Sequence, residues 1–307
     1  MSVYTAVGRD ELAAWLAPLA VGELVDFAGI AAGLQNTNYF VTTADGEWVL
    51  TIFERLRTGE LDFYLPLMAH LAARGVPCPN PRADGSGWLW RPLAGKPAAL
   101  VSRLPGAMVE TPGLDHCRAV GAALAALHAA AAGVPDAPPN PCGAAWRAAT
   151  GGRLLPLVAP TEARLLADEL AFQERQDYSH LPCGVIHGDL FRDNVLWREG
   201  RVSGVVDFYF AGTDSLLFDL AVAANDWCAG AAAVEALLAG YAAGRPLSAA
   251  EQAAWPALRR AAALRFWLLR LEIRHYPRPG EMVTVKDPDP FRRLLESLRL
   301  APGQPHR

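Results

Sequence analysis

Paired cysteines are missing from this chain. Its five (Cys78, Cys117, Cys142, Cys183 and Cys228) lie at least 25 residues apart with no CxxC spacing. That excludes a zinc knuckle and a small disulfide scaffold, and predicts reduced, mostly buried thiols. An excess of positive charge is missing too. Twenty-eight Lys and Arg face 32 Asp and Glu, for a net charge of −4, so no nucleic-acid partner and no membrane surface are expected. No apolar run reaches the length that spans a bilayer. The longest uncharged stretch, residues 119–135, is mostly alanine and carries His128, two glycines and a proline. The opening MSVYTAVGRD lacks a basic start followed by an apolar core, so no signal peptide is read there and a cytoplasmic location is expected. What is present is a globular balance, 52% hydrophobic and 20% charged, unlike a disordered or fibrous chain.

The first hundred residues read as a small α+β unit. Residues 9–20 have apolar positions at helical spacing, led by Leu12, Trp15, Leu16 and Leu19. Two β-rich runs, 38–43 and 47–53, flank Ala44-Asp45-Gly46, which predicts a hairpin whose glycine supplies a positive φ. A helix is predicted over 60–74, ended by Gly75, followed by strands over 88–91 and 98–104. Pro105-Gly106 is the predicted hinge, dividing the chain into units 1–104 and 105–307. Beyond it the pattern is helical over 115–132 and 161–176, with a proline-laden loop at 134–142 between them. Short strands follow at 185–186, 195–197 and 202–206. Helix then runs through His275, and Pro277, Pro279, Pro288 and Pro290 predict an irregular segment.

The run Ile186-His187-Gly188-Asp189-Leu190-Phe191-Arg192-Asp193-Asn194-Val195 carries the most chemistry. An apolar strand enters, a polar turn holds His, Gly, Asp and Asn, and an apolar strand leaves. Thirteen residues past Asn194, Gly204-Val205-Val206-Asp207 ends another strand on a second carboxylate. Phosphoryl transfer to an alcohol needs this set: one carboxylate to take the hydroxyl proton, and an amide oxygen with a second carboxylate to hold Mg²⁺ against ATP. Asp189 and Asn194 keep the D-x-x-x-x-N interval of a kinase catalytic loop, with Asp207 in the place of the DFG aspartate.

HGDLFRDN followed by VVDF resembles the choline kinase and aminoglycoside phosphotransferase superfamily. More narrowly, GLQNTNYFVTT, WVLTIFE, GVPCP, GKPAALVSRLPG, HGDLFRDNVLW, VVDFYFAGTD and FDLAVAANDWC together resemble the kinase-fold homoserine kinases. The resemblance implies an α+β, two-lobed protein-kinase-like fold. Its small lobe would hold an antiparallel sheet and its larger lobe would be mostly helical. It implies ATP and Mg²⁺ as cofactors and L-homoserine as acceptor, with Asp189 as base and Asn194 and Asp207 as metal ligands. His187 would orient the loop by hydrogen bonding, and Asp219 would cap a helix and brace the metal loop. The segment 33–38, with Asn36 and Asn38, would cover the phosphates, and Ser102, Arg103 and Leu104 would pass the adenine. Another small alcohol (choline, ethanolamine, an aminoglycoside) remains the alternative acceptor. A nucleotide-binding pseudokinase and a metallohydrolase using His187, Asp189 and Asp207 are the other classes weighed.

The departures are informative. In the third-strand slot where kinases place a lysine stands Thr51, and the partner glutamate slot falls near Tyr64. Losing both halves of that ion pair together is electrostatically consistent. Lys96 and Arg192 are then the candidate cations for phosphate, with Arg55 and Arg57 expected to face solvent. A zwitterionic acceptor would want an arginine fork for its carboxylate. Arg192 could supply it, and Asp214, Asn225, Asp226 and Trp227 could form the pocket wall. The aromatic run Phe208-Tyr209-Phe210 could be core, or could box a quaternary ammonium. His128 reads as structural support, and 262–275, with Arg265, Arg270, Glu272 and Arg274 interleaved, as a packed helix with a charged face, one of whose charges could contact the acceptor.

Overall fold

The computed structural model describes residues 4–30, 36–277 and 286–300. The chain divides into two compact units, one of residues 1–107 with 196–206, the other of 108–195 with 207–307. The division is therefore not a single cut at residue 104. A short hairpin from the middle of the chain packs with the first unit.

In the first unit, helix α1 (Arg9–Leu16) runs into a 3-10 turn (Ala17–Leu19), and five antiparallel strands follow. These are β1 (Leu24–Gly29), β2 (Thr37–Thr43), β3 (Gly46–Ile52), β4 (Arg91–Leu93) and β5 (Lys96–Ser102), in the order β1-β2-β3-β5-β4. Helix α2 (Thr58–Ala73) lies between β3 and β4 in sequence. Alternation along β2 puts Tyr39 and Val41 inside, where they meet Leu50 and Ile52 of β3, Leu100 of β5, and Leu12, Trp15 and Leu16 of α1. The register pairs Asn38 with Thr51 and Thr51 with Ala99.

Three expectations for this unit change. The β2–β3 turn closes on Ala44-Asp45 without a positive φ, so Gly46 simply opens β3. The strand placed at 88–91 begins instead at Arg91. Asp84 captures the preceding stretch by accepting the amides of Ser86 (2.8 Å) and Trp88 (3.0 Å) in a side-chain turn. Strand β1 was not anticipated. It is an edge strand with a bulge between Leu24 and Asp26, mostly exposed, so it lacks the alternation that marks a half-buried strand.

The second unit is mostly helical: α3 (Leu114–Ala130), α4 (Ala144–Leu154), α5 (Pro160–Glu174), α6 (Leu216–Trp227), α7 (Ala231–Gly244), α8 (Ala249–His275) and α9 (Asp289–Leu300). Strand β6 (Cys183–Ile186) pairs antiparallel with β9 (Gly212–Ser215). Between them in sequence, β7 (Val195–Arg198) and β8 (Arg201–Val205) form a hairpin across Glu199-Gly200, both at positive φ. Helices α3 and α7 cross closely. A Cβ at Gly240 would sit 1.9 Å from the Arg118 carbonyl oxygen, and one at Gly121 would sit 2.1 Å from that of Leu237. That approach brings His128 of α3 against Tyr241 of α7. Helix α9 replaces part of the proline-rich stretch expected to be irregular. Pro290 stands in its first turn, where a missing N–H breaks no helical bond. Pro279 lies outside the described residues. All five cysteines are free, Cys78, Cys117 and Cys142 buried and Cys183 exposed. Among the described residues, no helix is long and apolar enough to cross a membrane.

Candidate active site

The turn between β6 and a 3-10 turn at Arg192–Asn194 carries the catalytic-loop candidates of the second unit. His187 is fully buried, and its Nδ1 accepts the Asp189 amide at 3.2 Å while its ring packs 4.7 Å from that of Phe208. The Asn194 side-chain amide donates to the Asp189 carbonyl (2.7 Å) and to its carboxylate Oδ2 (3.2 Å). This bond fixes the carboxylate and turns the Asn194 amide oxygen to the other side of the group. Burial pushes the Asp189 carboxyl up to about 7; the Arg265 charge and the Asn194 amide pull against that rise, and the Asp207 charge adds to it.

Asp207 itself sits at φ +65°, a left-handed conformation that aspartate tolerates better than most residues and that recurs at functional turns. Burial raises its carboxyl, partly offset by the Tyr209 amide it accepts. Asn194 and Asp207 offer the hard oxygen donors that suit Mg²⁺, which is held by one or two protein groups and completes its shell with phosphate and water. Among the described residues there is no group of three or more His, Cys, Asp or Glu able to hold a metal. The buried His187, whose Nδ1 is already engaged, is poorly placed to serve as the zinc ligand of the hydrolase alternative.

Behind the loop lies an ionised brace. Asp219 is fully buried and accepts the amides of His187 (Oδ2, 2.7 Å) and Gly188 (Oδ1, 2.9 Å). His128 Nε2 lies 3.1 Å from Asp219 Oδ2, and its Nδ1 lies 2.8 Å from the Tyr241 hydroxyl. Burial would raise the Asp219 carboxyl, but the hydrogen bond and charge of His128, with His187 and its amide, outweigh it and hold the group below the usual range. Asp219 therefore braces the catalytic turn from inside α6. It does not cap the helix, which begins at Leu216 after Ser215.

Arg192 is held by Asp226, through its backbone amide (2.8 Å) and Nε (3.1 Å) to Oδ2, and its Nη1 donates to the Glu110 carbonyl (2.8 Å). Asn225 is tied to Arg259 by bonds of 2.8 and 3.0 Å. Trp227 is buried, its indole N–H on the Leu190 carbonyl at 3.0 Å. Arg192 and Asp226 are thus engaged with each other, Asn225 with Arg259, and Trp227 with the Leu190 carbonyl. Asp214 is partly buried and accepts the Asn140 amide at 2.8 Å.

In the first unit, Thr51 Oγ1 donates to Asn38 Oδ1 at 2.8 Å, so the third-strand slot holds a neutral pair rather than a cation. Asn36 Oδ1 accepts the Glu54 amide at 3.4 Å; residues 33–35 of the same loop lie outside the described residues. Lys96 is paired with Glu54, which also accepts from Thr5 and Thr37 at 2.7 Å each. The chain has only two lysines, and the other, Lys286, pairs with Asp193 at 3.3 Å. The Ser102 and Arg103 amides donate to the Asn80 and Glu47 carbonyls (3.0 and 3.2 Å), so their N–H groups are occupied. The Arg103 guanidinium pairs with Glu47 at 3.2 Å and lies over Phe40. Leu104 packs beside Gly204.

Residues 26–260 match the model of the phosphotransferase enzyme family. The chain belongs to that family. It is 46% identical to the homoserine kinase of Methylobacillus flagellatus, over 96% of this chain and 95% of that protein. It is 45% identical to the homoserine kinase of Neisseria meningitidis serogroup B, over 97% of this chain and all of that protein. Its fold is similar to that of the amicoumacin kinase hAmiN, solved with AMP-PNP, Ca²⁺ and Ami, at a TM-score of 0.69 and 14% identity over 95% and 92% of the two chains. The α+β, kinase-like fold expected from the motifs is therefore the fold of this family.

Within a phosphotransferase the glycine of His187-Gly188-Asp189 has a defined reason. Gly188 sits at φ +76°, its amide goes to Asp219, and a Cβ there would lie 2.6 Å from the Phe210 carbonyl oxygen. Gly188→Ala must displace the catalytic turn, and kcat is expected to fall by roughly a hundredfold, since shifts of about 1 Å at a reacting group have that effect. Steady-state kinetics on a variant shown by circular dichroism to be folded checks this. One further residue was read only as one of several charges on a packed helix: Arg265 of α8, fully buried, donates from Nη1 to the Gly188 carbonyl and comes 3.6 Å from Asp189 Oδ1. Its sequence signal was a basic residue with Phe266, Trp267, Leu268 and Leu269 directly after it.

Proposed function

We propose that this phosphotransferase is a cytoplasmic enzyme that transfers the γ-phosphoryl group of ATP to the side-chain hydroxyl of L-homoserine. The observation that carries the acceptor is the 46% identity to a homoserine kinase along almost the whole of both chains. The reaction type is supported by Asp189 held by Asn194, with Asp207 close enough for its charge to bear on Asp189.

Asp189 is the group that receives the hydroxyl proton and points the oxygen toward phosphorus, while Asn194, His187 and Arg265 keep it aligned. Mg²⁺ held by Asn194 and Asp207 would neutralise phosphate charge and orient the leaving group. Transfer then depends on positioning and electrostatics, with no covalent enzyme intermediate required. On the first unit, the Asn38–Thr51 pair and the Lys96–Glu54 pair are the groups proposed to face the nucleotide phosphates. Leu104, whose amide is not engaged by a described residue, is proposed to contact the base. Recognition through a single backbone donor predicts weak dependence on the side chains of 102–104.

Choline fits less well. The Arg265 guanidinium lies 4.9 Å from the Phe210 ring centre, so this aromatic already has a cation partner and a quaternary ammonium would meet like charge. The test is ADP release with L-homoserine, choline, ethanolamine and an aminoglycoside, with and without Mg²⁺. L-homoserine is expected to give the highest kcat/KM, and only with the metal. Mg²⁺-dependent turnover of another alcohol with none of homoserine overturns the acceptor; ATP binding without turnover of any alcohol restores the pseudokinase reading.

A further inference from the structure

A guanidinium sealed inside a protein normally finds acceptors for its N–H groups, because an unmet buried donor is costly. Arg260 shows the usual solution, its Nε and Nη2 both on the Glu169 carboxylate. Arg265, five residues further along α8 and buried still more completely, does not. Its Nη1 is engaged by the Gly188 carbonyl, yet its Nε and Nη2 have no hydrogen-bond partner among the described residues.

Those two nitrogens form one edge of the guanidinium, the edge that accepts a carboxylate side-on through two parallel N–H···O bonds. The plane is held by the rings of Phe266 and Phe210, at 4.0 and 4.9 Å from the guanidinium carbon. Stacking of this kind fixes the group without answering its N–H bonds. Arg147, also buried, feels the charge of Arg265 and lies over Phe218. Arg147 has the Cys142 carbonyl, 3.3 Å from its Nη1, and the charge of Asp214 to answer it, whereas the Nε/Nη2 edge of Arg265 has no acceptor among the described residues.

We propose that the Nε/Nη2 edge of Arg265 receives the α-carboxylate of the acceptor and thereby selects an amino-acid alcohol over a plain amino alcohol. The inference rests on the homoserine reading and names the residue that would enforce it. Homoserine carries its hydroxyl and carboxylate on one short carbon chain. A molecule whose hydroxyl meets Asp189 thus has its carboxylate within reach of a guanidinium whose Nη1 is 3.6 Å from that aspartate. Because the edge is closed to water, an arriving carboxylate gives up its hydration. Only a side-on ion pair replaces what it loses, so an acceptor without the carboxylate leaves the donors unmet.

Removing Arg265 also disturbs Asp189 and Gly188, so a loss of activity alone does not separate substrate recognition from loop support. The ratio of two acceptors does. The experiment compares kcat/KM for L-homoserine and for 3-aminopropan-1-ol, its analogue lacking only the carboxylate, in the full-length wild type, Arg265→Gln and Arg265→Lys. The wild type is expected to favour homoserine strongly, and that preference to shrink by about a hundredfold or more in Arg265→Gln. Arg265→Lys, which keeps the charge without the fork, is expected to recover only part of it. It also carries the comparison if the Gln variant fails to fold. A preference that survives in both variants, the two acceptors losing rate in step, overturns the proposal and leaves Arg265 a support of the loop. A wild type that phosphorylates some other alcohol and neither of these defeats the homoserine reading itself, a result distinct from an unchanged ratio.

Discussion

Asp189→Asn is expected to lower kcat for L-homoserine by about a thousandfold, within the range that general-base removal gives, while the protein stays folded. The substitution keeps shape and one carbonyl oxygen, which can serve either the Asn194 amide, now donating to Oδ2 at 3.2 Å, or the Arg265 Nη1, now 3.6 Å from Oδ1, and it turns an NH₂ toward the other. What it removes is the site that accepts the hydroxyl proton and the negative charge beside a buried arginine. A stability loss is therefore expected along with the kinetic one, because Arg265 loses an opposing charge in a place it cannot leave. KM for homoserine should change far less than kcat, since a base whose role appears in the transition state contributes little to ground-state binding. Steady-state ADP release with a thermal melt on the same sample measures both. A variant retaining a tenth or more of wild-type kcat would remove Asp189 from the chemistry.

The candidate catalytic loop was legible because its parts are adjacent in sequence: His187, Gly188, Asp189 and Asn194 lie in one short polar stretch, and Asp207 lies just past β8, the second strand of the hairpin that follows. A contiguous polar cluster between apolar strands is visible without coordinates. The groups that hold this turn in place were not. Asp219, His128 and Tyr241 come from α6, α3 and α7, and only the glycine-mediated crossing of α3 and α7 brings the latter two together. Hydrophobic periodicity says that these helices pack, but not which polar residue faces which. Asp226 and Arg192 show the same limit. Both looked like free charge near a substrate, and tertiary structure pairs them with each other.

Arg265 was not singled out from its neighbours for a different reason. In residues 262–275 the charges recur at helical spacing, a pattern that usually marks a solvated stripe, yet α8 is long and packed along much of its length, so one of those charges is fully buried. The unannounced strand β1 and helix α9 lie at the other limit. One is an exposed, bulged edge without alternation; the other carries Phe291, Leu294, Leu295 and Leu298 at helical spacing, but the prolines ahead of it, Pro290 in its first turn included, pointed to an irregular segment. In the third-strand slot the sequence showed a missing lysine correctly, but not that Asn38 directly across the sheet would meet Thr51, nor that Lys96 would already have Glu54.

Asp219→Asn is expected to produce the largest change in stability. The carboxylate answers two backbone amides and a histidine at once, with no exposure to water. Asparagine offers one acceptor oxygen and turns an NH₂ toward groups that are donors. Breaking a buried ionised partner of this kind costs about 3–5 kcal/mol, which for a chain of this size lowers Tm by roughly 5–10 °C. The pH dependence follows from the sign of the shift. The folded carboxyl is held below its ordinary value, so the unfolded chain, near about 3.9, takes up a proton first as pH falls. The contribution of Asp219 is thus fully present above about pH 4 and is lost as pH drops through the folded value beneath it. The gap in Tm between wild type and variant should be constant from about pH 8 to pH 5 and narrow below pH 4, because the wild type, not the variant, gives up the ionised brace. Melts of the two proteins across that range measure it, and a gap that stays full in acid would show that the brace acts by shape alone. Since the same carboxylate fixes the amides of His187 and Gly188, kcat should fall in Asp219→Asn even at temperatures where the variant is fully folded.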